Sequence, residues 1–290
     1  MNTINKIVIM PNSMRDVDYV LTSRVCEIFT SHGASVYISD LHRGAGLSAV
    51  EYYYKASFPR DAQLITVIGG DGSVLDASKY AIREDIPILA INKGHLGYLT
   101  QLDEDNLEPI EKIFSGEYKI ADRMLIAAEL PGNADKEMPL AMNDFVLTHH
   151  EKGRMIEYEI SEGGHSSLEY SSDSLVIATP SGSTGYSMSG GGPVLDTAIK
   201  AICVTPIAPH SFFGRSMIFG ADTVIEVKNT SDRGTSIALM ADGRSVCDIE
   251  PQQTIRIRTA DRSVKFITFG GNATIDKLCL KMKMSNAKYN

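Results

Sequence analysis

Gly69-Gly70-Asp71-Gly72-Ser73 follows directly on the apolar run Leu64 to Ile68 and precedes a helix-like segment, Val74 to Ala81. A strand ending in glycines lets backbone approach a ligand closely, and the helix behind it offers unpaired N–H groups and a positive dipole end to an anion. This is the composition of a phosphate cradle. Asp71 is the odd member, because a negative charge there costs repulsion unless it holds a metal or takes a proton from a nucleophile. For an isolated Gly-Gly-Asp-Gly the alternative is a strand-to-helix turn with Asp71 as the helix N-cap.

Three further segments carry groups suited to a polar ligand. Asn92-Lys93-Gly94-His95-Leu96-Gly97-Tyr98-Leu99-Thr100 follows another apolar run and reads as a tight loop, either structural or lining a ligand. Asn143-Asp144 interrupts the apolar stretch Leu140 to Leu147, where a polar pair is costly unless both find partners, and amide and carboxylate oxygens suit sugar hydroxyls. An edge strand with a solvated face is the other reading. The segment Asp173 to Pro193 runs from an apolar strand into a loop rich in hydroxyls and glycines, with Tyr186 able to offer a stacking face. A hydrolase elbow fails on register, since Ser189 stands where GxSxG needs its second glycine after Gly185 and Ser187. No GxxxxGK[ST] loop occurs, and GxGxxG is absent after the first strand.

The elements that must hold these segments divide the chain in two. Over the first 120 residues strand-like runs (Lys6 to Met10, Ala34 to Ile38, Leu64 to Ile68, Ile86 to Ile91) alternate with helical spacing (Val17 to Thr30, Asn106 to Phe114). Alternation of this kind predicts an α/β layer fold with a parallel sheet, whose ligands sit beyond the strand carboxyl ends, where Gly69 and Asn92 fall. After about Ile120 closely spaced strands predict an all-β second domain. They are Met124 to Leu130, Leu140 to Thr148, Met155 to Ile160, Ser174 to Thr179, Ile202 to Ile207, Thr223 to Val227, Ser236 to Met240, Thr254 to Arg258 and Val264 to Phe269. Asp242-Gly243 reads as a two-residue hairpin turn. Ile275 to Met284 looks helical again, so the C-terminus is expected to return to the first domain.

With 43% hydrophobic and 22% charged residues the chain is an ordinary globular one, and its net charge of −8 argues against a broad nucleic-acid footprint. No apolar run approaches the length of a membrane span, and no signal sequence is apparent, so a cytoplasmic protein without membrane attachment is expected. Cys26, Cys203, Cys247 and Cys279 form no CxxC pair, and the seven histidines show no metal-ligand spacing. No metal ligands are assigned.

Taken in order, these motifs resemble the NAD kinase family. Members carry GGDG, then NxGxLGFLT, then NE or ND in a strand, then DGxxxSTPTGSTAYSxSxGGP, then a TPICPHSL-like stretch. Here these stand as Gly69 to Gly72, Asn92 to Thr100, Asn143-Asp144, Asp173 to Pro193, and Thr205-Pro206-Ile207-Ala208-Pro209-His210-Ser211. The resemblance implies a Rossmann-like α/β domain over 1–120, with 270–290 packing back on it, a β-sandwich NAD-binding domain over 121–269, and a site in the cleft. It implies Mg²⁺-dependent transfer of the terminal phosphate of ATP, or of polyphosphate, to the 2′-hydroxyl of the adenosine ribose of NAD. Asp71 would be the general base, Gly69, Gly70 and Gly72 would carry the donor phosphates with Mg²⁺, and Asn92 is a further cofactor-binding candidate. Asn143 and Asp144 would hold ribose hydroxyls, Asp173 would meet the NAD side, Thr184, Tyr186 and Ser189 would line the adenine and ribose site, and Gly185 and Ser187 are further cofactor-binding candidates. Arg154 is a further ligand candidate, and a homodimer or homotetramer is implied.

Tyr98, Ser174, Ser181 and Gly185 depart in small ways from the family's pattern, and no proline follows Arg215. Arg244 departs more, putting a cation after the Asp-Gly turn where it could alter phosphate contacts. Two rival readings remain: a lipid kinase with the same glycine loop, for which the acidic chain offers no membrane surface beyond Lys277 to Lys288, and a binding protein that has lost turnover.

Overall fold

The protein is described by a computed structural model covering residues 4–270 apart from 55–56, 95–96, 133–136, 152, 165–166 and 233, together with 275, 278 and 279. Its first unit comprises Met1–Asp122 with Val264–Asn290, and its second Arg123–Ser263.

In the first unit, β1 (Lys6–Pro11), α1 (Val20–Ser31), β2 (Ser35–Ser39), β3 (Glu51–Tyr53), β4 (Leu64–Gly69), α2 (Asp71–Glu84), β5 (Ile88–Asn92), β6 (Leu102–Asp103) and α3 (Glu111–Ser115) follow in order. The strands pair in parallel in the order β3-β2-β1-β4-β5, with β6 beside β5. All six residues of β4 are buried, as a parallel strand covered on both faces requires. α1 lays Leu21, Val25 and Phe29, spaced four apart, into a core with Ile7, Ile9, Ile38, Leu64 and Ile91. It begins three residues later than its apolar spacing predicts, because the buried Asp16 carboxylate accepts the N–H groups of Leu21 (3.2 Å) and Thr22 (2.8 Å) and so fixes the entry turn. The helix predicted over Asn106 to Phe114 is a 3₁₀ turn through Pro109 followed by the short α3. From β1 the chain runs outward to β3 and returns as β4 on β1's other side, so the order reverses between β1 and β4. Beyond the carboxyl ends of those two strands is where such a sheet takes a ligand.

The second unit contains the later part of β7 (Lys119–Glu129), then β8 (Leu140–Ala141), β9 (Asp144–Thr148), β10 (Ile156–Glu162), β11 (Ser167–Ser172), β12 (Ser174–Ala178), α4 (Tyr186–Ser189), β13 (Ala201–Ile207), β14 (Met217–Gly220), β15 (Ile225–Asn229), β16 (Ile237–Ala241), β17 (Arg244–Ile249) and most of β18 (Thr254–Thr268). One antiparallel sheet runs β14-β13-β12-β9-β16-β17, and the other orders β11-β10-β15-β18, with β7 joining β18 to β8. A single core draws Phe145, Leu147, Leu175, Ile177 and Leu239 from the first sheet and Tyr158, Ile160, Val227 and Ile257 from the second, which makes the unit a β-sandwich. The other face of β9, β12 and β13 is covered as well, through Val146, Val176, Ala178 and Cys203. That double burial explains why these strands read as unbroken apolar runs.

Several expected elements differ in detail. The strand predicted over Leu140 to Thr148 is two, because the chain bends at Met142-Asn143. The two predicted at Thr254 to Arg258 and Val264 to Phe269 are one, β18, whose end pairs Phe266 with Ile88 in the first unit. β3, β11 and β14 give no clear sequence signal; β3 and β14 are sheet edges, and β11, another edge, is the polar run Ser-Leu-Glu-Tyr-Ser-Ser. Of the helix expected over Ile275 to Met284 only Ile275, Leu278 and Cys279 are described, in helical conformation, and the rest lies outside the described residues.

Candidate active site

In the first unit the two glycine segments meet. Gly69 and Asn92 are register partners at the ends of β4 and β5, and Lys93 N–H donates to Gly69 O at 3.0 Å. Gly70 is the residue preceding α2, so Asp71 opens the helix instead of capping it from outside. Its carboxylate reaches across to the second loop and accepts the N–H groups of Tyr98 (3.0 Å) and Leu99 (2.9 Å). A Cβ at Gly97 would collide with that carboxylate, so the glycine is what permits the approach. Asn92, 3% exposed, donates to Gly94 O and to Asp103 (3.2 Å each), while its Oδ1 has no partner among the described residues. The two bonds accepted by Asp71 leave carboxylate lone pairs for a proton or a cation.

Two residues not singled out in the sequence complete this surface. Asn12, just past β1, donates through Nδ2 to Ser73 Oγ (2.9 Å) and accepts the Met14 N–H, shaping the loop that carries Arg15. Arg15 donates to Lys93 O (3.1 Å), and its guanidinium lies against Gly70, with Nη1 2.8 Å from where a Cβ would be. The structure gives it no carboxylate partner among the described residues, so an exposed cation stands directly over the glycine loop. The signal was its position after a strand at the sheet's switch point, which only the strand order makes visible.

In the second unit, Asn143 and Asp144 sit where β8 breaks and β9 begins, inside the sheet and not at its edge. Three consecutive N–H groups, of Met142 (2.9 Å), Asn143 (2.7 Å) and Asp144 (3.2 Å), donate to the carboxylate of Asp242. Asp242 and Gly243 both have positive φ (47° and 76°), the two-residue turn expected between β16 and β17. On the other side Thr179 donates through N–H to Asn143 O (2.9 Å) and through Oγ1 to Met142 O (2.6 Å). Gly182 packs so closely that a Cβ would overlap the Asn143 carbonyl, and Gly185 faces the Asp144 carboxylate. Asn143 Oδ1 is left buried without a partner among the described residues. Burial, and then the charge of Asp242, push the Asp144 carboxyl up to about 7. Burial also raises Asp242, while its three N–H donors act in the opposite sense, favouring its charged form.

In the loop after β12 Gly185 faces Asp144, while Thr184 bonds within the loop to Ser181 O (3.2 Å) and Tyr186 and Ser189 are exposed. Ser187 faces inward, bonding Thr205 Oγ1 (3.1 Å) and Cys203 Sγ (3.8 Å), so its hydroxyl serves the unit's core. Asp173 lies at the opposite end of β12, about 17 Å from Asp144 at the usual rise per strand residue. Arg154, the further ligand candidate, lies ahead of β10. It stands exposed, pairs with Glu151 (2.8 Å), and lines a cavity of about 430 Å³ with His149, Glu157 and Ser171. Neither residue is brought to Asn143-Asp144 within this unit. Arg244 is exposed at the start of β17.

A parallel α/β unit with a glycine loop at its switch point, followed by a β-sandwich that displays amide and carboxylate oxygens, defines a two-domain small-molecule kinase fold. Two solved structures share it: yeast NADH kinase complexed with NADH (TM-score 0.81, 20% identity, covering 96% of this chain and 87% of that one) and an NAD kinase from Archaeoglobus fulgidus in complex with ATP (TM-score 0.71, 22% identity, 90% and 92%). The ATP-NAD kinase N-terminal domain matches residues 8–118, and the ATP-NAD kinase C-terminal domain matches 142–269. The chain therefore belongs to the NAD kinase family, enzymes that phosphorylate NAD. It is 30% identical to the NAD kinase of Caldanaerobacter subterraneus subsp. tengcongensis over 95% of this chain and 98% of that protein, and 36% identical to that of Carboxydothermus hydrogenoformans over 77% and 80%. No described helix is long and apolar enough to cross a membrane.

Proposed function

We propose that this NAD kinase moves the terminal phosphate of ATP to the 2′-hydroxyl of the adenosine ribose of NAD, with Asp71 taking the hydroxyl proton. The observation that carries this reading is the Asp71 carboxylate at the head of α2, fixed by the N–H groups of Tyr98 and Leu99 and retaining free lone pairs. The hydroxyl oxygen attacks the γ-phosphorus, the bond to the β–γ bridging oxygen breaks, and ADP leaves while the proton passes to Asp71. Gly69, Gly70 and Gly72 let the donor phosphates approach backbone N–H groups at the helix start, and the Arg15 guanidinium offers them a cation. Asn143 and Asp144 accept or donate to ribose hydroxyls, and Tyr186 gives the adenine a stacking face.

Mg²⁺ bound with ATP would neutralise charge developing on the transferred phosphate. Among the described residues no group of three His, Cys, Asp or Glu could hold a metal ion. Such an ion would arrive on the nucleotide and keep most of its waters. Exposed Phe212 and Phe213 and, on the edge strand β14, Ile218 support a homodimer or homotetramer.

The test is a coupled assay for NADP formation from NAD, ATP and Mg²⁺, run beside polyphosphate as donor and NADH as acceptor. NADP from NAD and ATP is the expected product, and a preference for polyphosphate or NADH would revise donor or acceptor. Absence of product with every pair would overturn the reading.

A further inference from the structure

We propose that Asp242 is a positioning residue for NAD: its carboxylate, at the β16–β17 turn, holds Met142-Asn143-Asp144 in the shape that receives the ribose. The proposal rests on the reading of Asn143 and Asp144 as ribose ligands. The three N–H groups it receives belong to the residues where β8 gives way to β9, and Asp242 N–H returns a bond to Asp144 O at 3.0 Å. With Thr179 fixing the Met142 and Asn143 carbonyls from the other side, the backbone is satisfied internally. The Asn143 side chain, its Oδ1 unpartnered among the described residues, is then left for a ligand.

A plain turn-forming role makes a different demand. A turn of this kind needs only a residue that tolerates positive φ, which asparagine and glycine both do. The anion does more, since it accepts three donors and stands against the Asp144 carboxylate. Asp242 is the charged group facing Asp144 there, on the β16 side; its register partner on β12, Ala178, and the facing Gly185 are uncharged. Asp144, pushed up to about 7 by burial and this neighbour, gives NAD binding an acid limb that depends on position 242.

Asp242→Asn keeps the turn conformation and removes the charge, and Asp242→Gly removes the side chain altogether. Full-length wild type and both variants are titrated with NAD by calorimetry, and kcat/KM for NAD is followed against pH. The expected result is a loss of NAD affinity of roughly tenfold or more, the scale of a charged hydrogen bond, with KM for ATP changed by less than about twofold. The acid limb moves to lower pH in Asp242→Asn, because Asp144 no longer ionises beside an anion. If Asp242→Asn shows no cooperative melt, Asp242→Gly decides. Unchanged NAD affinity in a folded variant overturns the proposal, as does an equal loss for NAD and ATP with the limb unmoved, which marks general damage. Failure of the wild type to bind NAD overturns the ribose reading itself, and this proposal with it.

Discussion

Asp71 is placed by its neighbours more than by its own loop. Two backbone donors from a segment 27 and 28 residues on hold the carboxylate, so its geometry survives only while both glycine segments keep their register. Asp71→Asn is expected to leave the NAD dissociation constant nearly unchanged and to lower kcat by roughly 10²- to 10⁴-fold, the usual cost of a lost general base. Near-normal turnover would leave Asp71 as a loop clamp only. Arg15 makes a contrasting prediction, because it would contact the donor. Arg15→Ala should raise KM for ATP roughly 10- to 100-fold with KM for NAD steady, as expected for one or two charge-assisted hydrogen bonds. Steady-state kinetics with each substrate varied separate the two, and an unchanged KM for ATP would remove Arg15 from the site.

At the scale of elements, β9 is a central strand whose first residue is an acid, and burying that acid has a thermodynamic consequence. The Asp144 carboxyl ionises near pH 4 in the unfolded chain and near 7 in the fold. Between those values the folded state binds more protons than the unfolded, so stability falls as pH rises and the loss is complete above about 7. Asp144→Asn should therefore melt at a higher temperature than wild type at pH 8, with the difference shrinking as pH falls toward 4. Melting curves that differ equally at both ends would deny the burial argument. The sequence made β4, β5, β9 and β12 legible because strands covered on both faces must be apolar throughout, and it made the Asp242-Gly243 turn legible because few residues accept positive φ. It did not show the bend at Met142, since the carboxylate that stabilises it lies about 100 residues away, nor the inward turn of Ser187, which depends on Thr205 across a sheet. Arg15 was hidden for a similar reason: its relation to Gly70 is set by strand order, not by local spacing.

For the whole molecule, Phe212, Phe213 and, on the edge strand β14, Ile218 expose large apolar side chains, surface of the kind that would serve the proposed homo-oligomer. Light scattering of the purified protein should give twice or four times the 31.6 kDa of one chain, and a mass of 31.6 kDa would exclude the homo-oligomer. The path of β18 has a consequence of another kind. Its residues up to Ser263 finish the sandwich, and those from Val264 complete the sheet begun by β1 to β5, where Phe266 meets Ile88. The sandwich is thus an uninterrupted stretch of sequence inserted into a unit whose two parts lie on either side of it. On the ribosome the sandwich can close before that unit does, because the glycine loop, synthesised early, waits on a sheet whose Val264–Thr268 segment emerges only after every strand of the sandwich.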